Sequence, residues 1–348
     1  MGHYLQFLSP LKAFLLLSFL QNSILNCNNL IHQQFKALSH TKLRALYSKY
    51  YGDYVKFVTE YKRGVKDDRP EPHRLLAYAK NVEEIKKHNE LYKKGKSSFM
   101  LGLTVMSDMT EEDMLDEFPV VKFNDTDDNP IPQNLTDKSV EDVNWVTRKH
   151  VTSVRNLRSD EQFCFGASSA SAVVDVVEAL VKSQTKKLRK LSIQELLDCS
   201  GSGCRSYGDF DKYSKYIMEK NGLVCEINYP YVKAQKTCSV KGQRYGKISN
   251  IQHTSYGHLT LFKTLLTKGP VATRILLTPN FMNYKGGIFR EKCQANAFSH
   301  TVLAVGFTDT YILIKNSWGT DWGEKGYMRI SIDPRENCNL YLDSLALM

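Results

Sequence analysis

The chain has 348 residues, 42% of them apolar and 24% charged, which suits about two globular domains and excludes a wholly disordered chain. Eight cysteines are too sparse for a disulfide-only scaffold but enough for a few bridges and a free thiol. The net charge of +10 is uneven: residues 27–139 carry 18 Lys+Arg against 18 Asp+Glu, and residues 140–348 carry 28 against 19. The densest basic cluster (Lys182, Lys186, Lys187, Arg189, Lys190) falls where a helix should end, so a solvated face accounts for it and no nucleic-acid partner is expected.

Taken in chain order, the first element is the apolar run Ala13–Leu20, which is too short to span a bilayer and reads as the core of a secretory signal over residues 1–26. No later run replaces it, so no membrane span is expected. Residues 27–137 read as a helical region ending in an exposed acidic linker. Leu43, Leu46, Tyr47, Tyr50, Tyr54, Phe57 and Tyr61 recur every three or four residues, as one face of an amphipathic helix requires. A second helix runs from about His73 to Lys94 after Pro70 and Pro72. The polar stretch from Phe118 to Lys138 carries Asn124-Asp125-Thr126 and Asn134-Leu135-Thr136, candidate glycosylation triplets in a secreted chain.

Residues 138–348 differ in character. The small, valine-rich segment 164–181 reads as a closely packed helix, with shorter helices at Asp209–Glu219 and Leu261–Thr267. Strand patterns follow at Val271–Leu277, Thr301–Phe307, Tyr311–Ile314 and Tyr327–Ile332. Helices followed by strands imply an α+β fold with a cleft between two lobes.

His300 opens one of these strands and Asn316 closes the next, so two neighbouring strand ends would set an amide beside an imidazole. An Asn oxygen accepting from one ring nitrogen fixes the tautomer and aims the other nitrogen outward. Cys164 stands at the start of the valine-rich helix, where a thiol is acidified, and a nearby His can take its proton. The order Cys164, His300, Asn316 matches that of papain-type enzymes.

The whole of residues 35–348 resembles a papain-like, cathepsin L-type cysteine protease precursor. The most specific part is Ser299-His300-Thr301-Val302-Leu303-Ala304-Val305-Gly306-Phe307 followed by Lys315-Asn316-Ser317-Trp318-Gly319 and Trp322-Gly323. Leu191–Cys199 and Tyr229-Pro230-Tyr231 are also family-like, and Arg74, Tyr78, Asn81, Ile85 and Asn89 keep the spacing of the inhibitory propeptide's helical motif. Gly102 and Asp108 are similar to its second motif, with Thr104 and Met106 as substitutions.

The resemblance implies a two-lobed α+β papain-like fold, a helical left lobe and a β-rich right lobe, preceded by a helical inhibitory propeptide. It implies a secreted or lysosomal cysteine endopeptidase made as a zymogen, with Cys164, His300 and Asn316 catalytic and Trp318, Tyr207 and Gly208 on the substrate cleft. No cofactor and no metal are implied; the partners are polypeptide substrates and the chain's own propeptide, in a monomer. Family bridges fall on Cys199–Cys238 and Cys293–Cys338, and a catalytic Cys164 leaves Cys204 to pair with Cys225.

The nucleophile region departs from the family, where Asn-Gln-Gly-x-Cys-Gly-Ser-Cys-Trp has become Asn156-Leu157-Arg158-Ser159-Asp160-Glu161-Gln162-Phe163-Cys164-Phe165-Gly166-Ala167-Ser168. In a second alignment Cys164 is the structural cysteine paired with Cys204, Cys225 is left over, and the nucleophile position falls on Ala167 or Ser168. That alignment implies an inactive papain-like protein that binds peptides or a protein partner. Either way the oxyanion glutamine becomes Leu157, which cannot donate, with Gln162 a substitute only if the inserted loop folds back, and the usual glycine pair is disturbed, since Arg205, Ser206 and Tyr207 follow Cys204 before Gly208.

Overall fold

The computed structural model describes residues 40–61, 72–122, 141–157, 164–255, 259–293, 296–341 and 343–348. The expected signal, most of the acidic linker with its Asn-x-Thr triplets, and the inserted stretch 158–163 with Gln162 lie outside the described residues. The chain divides into two compact units between Lys56 and Phe57, inside the first helix, α1 (His40–Glu60). Among the described residues the first unit holds only the earlier turns of α1; the remaining elements belong to the second.

In that unit the N-terminal region comprises α2 (Pro72–Lys93), β1 (Phe99–Leu101), α3 (Glu111–Glu117) and β2 (Val120–Lys122). Pro72 opens α2, where its missing N–H leaves no bond unmade. Thr110 and Asp113 cap each other's backbone at the start of α3. The motif residues of α2 hold this region together. Arg74 pairs with Asp113 at 2.5 Å, Asn81 donates to the Ser107 carbonyl at 2.8 Å, and Asn89 exchanges two hydrogen bonds with the Leu101 backbone.

The rest follows as β3 (Val143–Asn144), α4 (Gly166–Thr185), α5 (Ile193–Cys199), α6 (Phe210–Glu219), β4 (Leu223–Val224) and β5 (Arg244–Tyr245). Then come β6 (Ile251–Ser255), α7 (Leu259–Lys268), β7 (Val271–Leu277), α8 (Pro279–Met282), β8 (Tyr284–Phe289), β9 (Asn296–Phe307), β10 (Tyr311–Lys315), β11 (Tyr327–Ser331) and β12 (Asp343–Leu347). One ten-stranded sheet runs β1-β8-β11-β10-β9-β7-β12-β6, with β2 and β3 also paired to β9. The helices α4, α5 and α6 make the facing lobe.

Fourteen of the twenty residues of α4 are buried, with the exposed ones in its last turn. Its run of Ala, Ser and Val lets neighbouring backbones approach on every side, which explains a helix with no polar stripe. Ser192 and Asp209 cap α5 and α6 through their side-chain oxygens.

Two expectations are corrected here. Residues 118–122 are not exposed linker: Phe118 is buried, and β2 pairs Val120, Val121 and Lys122 with Phe298, Ala297 and Asn296. His300 therefore lies inside β9 and not at its end. β7 also pairs along it as far as Phe298, so partners on both sides extend the strand upstream of His300.

The cysteine pairing is the third correction. Cys199–Cys238 and Cys293–Cys338 are bonded as expected, but Cys204 is joined to Cys164, and Cys225 is free and half-buried. The pairing follows from the backbone: the Gly166 amide donates to the Cys204 carbonyl at 3.1 Å, bringing the two Cα atoms within 4.5 Å, whereas Cys225 faces Leu191 across a β-bridge. A Cβ on Gly166 would stand 2.5 Å from the Gly203 carbonyl oxygen, so this approach needs glycine there.

Candidate active-site cleft

His300 is 4% exposed, and its Nε2 meets Asn316 Oδ1 at 2.9 Å. The amide oxygen can only accept, so Nε2 carries the proton and Nδ1 the lone pair. Asn316 is fixed in turn by the Ser317 amide, which donates to the same Oδ1 at 2.7 Å. The Trp318 ring lies 4.7 Å from the imidazole at a 31° tilt, shielding this bond from water. Burial pushes His300 down to about 4, opposed by the Asn316 hydrogen bond. No anion stands beside the imidazole among the groups that set this value.

The cleft beside His300 is walled on the helical side by Phe165, Ala167, Ser168 and Tyr207, and on the sheet side by Arg274, Thr301, Ser317 and Trp318. Cys164 also borders it, but its sulfur is bonded to Cys204 and supplies no thiolate; the expectation that Cys164 is the nucleophile is corrected accordingly. The first turn of α4 offers Ala167, and then the half-buried hydroxyl-bearing Ser168, to the pocket. Leu157 lines the cleft with an apolar side chain. Loss of one oxyanion donor costs about 10²–10³ in turnover.

The remaining wall is the N-terminal region itself, through Glu117, Phe118 and Pro119. The Phe118 ring stands edge-on to His300 at 5.9 Å and to Trp318 at 6.1 Å, and the Ser299 amide donates to the Pro119 carbonyl at 2.8 Å. The same region docks on α8 and β8. Ser107 Oγ donates to Asn283 Oδ1 at 2.6 Å, Asn283 Nδ2 donates to Asn81 Oδ1 at 3.2 Å, and Ile288 N donates to the Ser98 carbonyl at 2.9 Å. An extended segment thus occupies the cleft over the imidazole.

A buried ionic cluster ties this site together. Arg155 reaches Asp175 at 2.6 Å and Glu178 at 2.7 Å, and Lys315, next to Asn316, reaches Asp175 at 2.9 Å. It clamps α4 to β10, whose end leads directly into Asn316. Burial pushes Glu178 upward, offset in part by Arg155.

The structure brings together His300, Asn316, Trp318 and Tyr207, whereas Gly208 is not among the residues that line the pocket. It adds Phe118 and Arg274, which sequence reasoning missed. Arg274 left one signal, a lone charge inside the apolar strand Val271–Leu277; Phe118 left none beyond being aromatic at the edge of an acidic stretch.

The fold and site define a two-lobed protease-type domain with its cleft filled by its own N-terminal region. The description "Papain family cysteine protease" matches residues 139–347 and "Cathepsin propeptide inhibitor domain (I29)" matches residues 54–114. The chain belongs to the papain family of cysteine proteases and carries the family's inhibitory propeptide. Among its relatives, cathepsin J of Mus musculus is 30% identical over 292 residues, spanning 77% of this chain and 83% of that protein. Fruit bromelain of Ananas comosus is 28% identical over 299 residues, spanning 80% of each. Of solved structures, digestive procathepsin L2 of Tenebrio molitor superposes with a TM-score of 0.71 at 27% identity, covering 86% of this chain and 99% of that one. A recombinant stem bromelain precursor gives 0.70 at 27%, covering 86% and 98%.

Proposed function

We propose that this chain is a papain-family precursor whose cleft binds extended polypeptide without thiol-dependent hydrolysis. The observation that carries this reading is the bond between Cys164 and Cys204, which takes up the only sulfur that borders the pocket of His300 among the described residues. Two further features support it: His300 is neutral above about pH 4 with no anionic partner among the described residues, and Leu157 stands in the cleft without a donor. The propeptide is the cleft's intramolecular occupant, and the domain acts as a monomer on polypeptide ligands. Three disulfides support residence in the secretory pathway, in a lysosome or outside the cell.

Retention of the His300–Asn316 pair beside Ser168 favours a second reading, slow peptide hydrolysis through the Ser168 hydroxyl. One experiment separates them. The full chain is cut in the 123–140 linker by an added protease, which is then inhibited, and is assayed on a peptide library with and without a thiol-directed epoxide. Binding with no hydrolysis and no adduct on Cys164 is the expected result. Turnover that resists the epoxide and disappears in both Ser168→Ala and His300→Ala selects the second reading. An adduct on Cys164 with epoxide-sensitive turnover sinks both.

A further inference from the structure

The cleft has two banks. On one, residues 117–119 lie over His300 and Trp318. The other is crossed by side chains that join the lobes.

Arg274 is the centre of this crossing. It is the single charged residue of β7, and each of its three nitrogens has an acceptor. Nε donates to Asp343 Oδ2 on β12. Nη2 donates to the Gly208 carbonyl at 2.6 Å and Nη1 to the Tyr207 carbonyl at 3.2 Å, both on the helical lobe. The guanidinium rests on the Phe210 ring, 5.0 Å from its centroid. Asp343 is backed by His253 Nε2 at 2.7 Å, and His253 Nδ1 meets Asp211 Oδ1 on α6 at 2.8 Å. Beside this chain, Ser169 Oγ donates to the Tyr207 carbonyl at 3.1 Å and lies 2.7 Å from Thr301 Oγ1.

The two carbonyls are therefore already engaged. An extended polypeptide laid along a cleft gains affinity from main-chain hydrogen bonds to the wall; the Tyr207 carbonyl, with both lone pairs taken by Arg274 and Ser169, is withdrawn from that role, and the Gly208 carbonyl has one lone pair taken by Arg274. Position 208 requires glycine: it sits at φ +73, and a Cβ there would stand 2.1 Å from Ser169 Cβ. Tyr207, 57% exposed, stands on the rim with its ring edge-on to Phe165 at 6.3 Å.

We infer that Arg274 decides which part of the cleft a polypeptide can occupy: it straps residues 207–208 to the sheet and closes that bank, leaving the bank that faces Phe118. The inference rests on the peptide-binding reading for its ligand, but the strap itself is read without one. Hydrogen exchange is followed by mass spectrometry on the full-length chain as wild type, Arg274→Ala and Arg274→Lys. In the alanine variant, amides in 205–210 are expected to exchange about tenfold faster or more, with 301–305 and 312–316 unchanged, because local opening there no longer breaks the guanidinium bonds. Lysine keeps the charge without the fork and is expected to fall between. Unchanged exchange at 205–210 in the alanine variant overturns the strap. Should that variant not fold, Asp343→Asn, which loosens the anchor of Arg274, is read in the same way.

The bank is then tested on full chain cut in the 123–140 linker, with an extended decapeptide carrying one benzophenone. Cross-links confined to 298–300 and 317–318 in wild type, spreading to 205–208 in Arg274→Ala, are expected. Cross-links to 205–208 in wild type overturn the inference. Fast exchange in the variant with no cross-link to either bank removes the peptide-binding reading and leaves the strap standing.

Discussion

At His300 the ordinary chemistry of an imidazole is suppressed by its surroundings. Phe118, Trp318 and the strand neighbours exclude water, and Asn316 satisfies one nitrogen without adding charge. The lowering from 6.5 to about 4 means that the unfolded chain takes up this proton first. The contribution of a neutral His300 is thus whole above pH 6.5 and declines as pH falls towards 4, by on the order of 3 kcal/mol. Urea midpoints measured from pH 7 to pH 4 check this: wild type is expected to lose stability over that range more steeply than His300→Gln. Parallel curves would refute the assignment. Cys164 shows how a neighbour decides a residue's chemistry. In reach of Cys204 it forms a crosslink worth about 4 kcal/mol in the chain-entropy account for a loop of separation 40.

Among the elements, α4 carries the most weight, because its first turn fronts the cleft while its middle holds the buried charges. Asp175 and Glu178 face Arg155 and Lys315 from one helix face, three residues apart, and the Leu191 amide donates to Glu178 at 2.7 Å. Removing one partner leaves a buried charge uncompensated, at a cost of about 3–5 kcal/mol. Arg155→Met is expected to lose that much in chemical denaturation, and a loss below ~1 kcal/mol would show that the cluster is not held as ions.

Much of this layer was legible in the sequence. The spacing of Tyr50, Tyr54 and Phe57, the alternation-free apolar run Val271–Leu277, and the small-residue run of α4 each carry their own period or composition. What was not legible depends on partners far along the chain. β2 and the upstream half of β9 are strands because they pair with each other, and nothing local in the acidic stretch announces that. The Cys164 pairing was equally hidden, since both schemes leave three bridges and one thiol. Only the approach of Gly166 to Gly203 and Cys204 distinguishes them. Asn316 was legible beside His300 because its strand, expected over Tyr311–Ile314, runs one residue further to Lys315 and delivers Asn316 directly after it.

Across the whole molecule the two lobes are joined by charge as well as by packing. His253 lies between Asp211 on the helical lobe and Asp343 on the sheet, and its hydrogen bond to the Asp343 carboxylate raises it to about 9, with burial opposing and Asp211 adding. A raised value means that this contribution is whole below pH 6.5 and lost as pH climbs through about 9. His253→Gln is expected to be less stable than wild type at pH 6 and to converge with it near pH 10, as read by thermal midpoints. A constant gap across that range would count against the bridge.

The three bridges among the described residues bind positions between Cys164 and Cys338, and none of them reaches the segment 57–122. That segment is held by its linker and by noncovalent contacts such as the β1–β8 and β2–β9 pairs. While the linker is whole, the segment meets the cleft at an effective concentration on the order of millimolar, whatever the amount of protein. Once the linker is cut, occupancy becomes a matter of mass action, and dilution alone, without further chemistry, decides how often the cleft stands open.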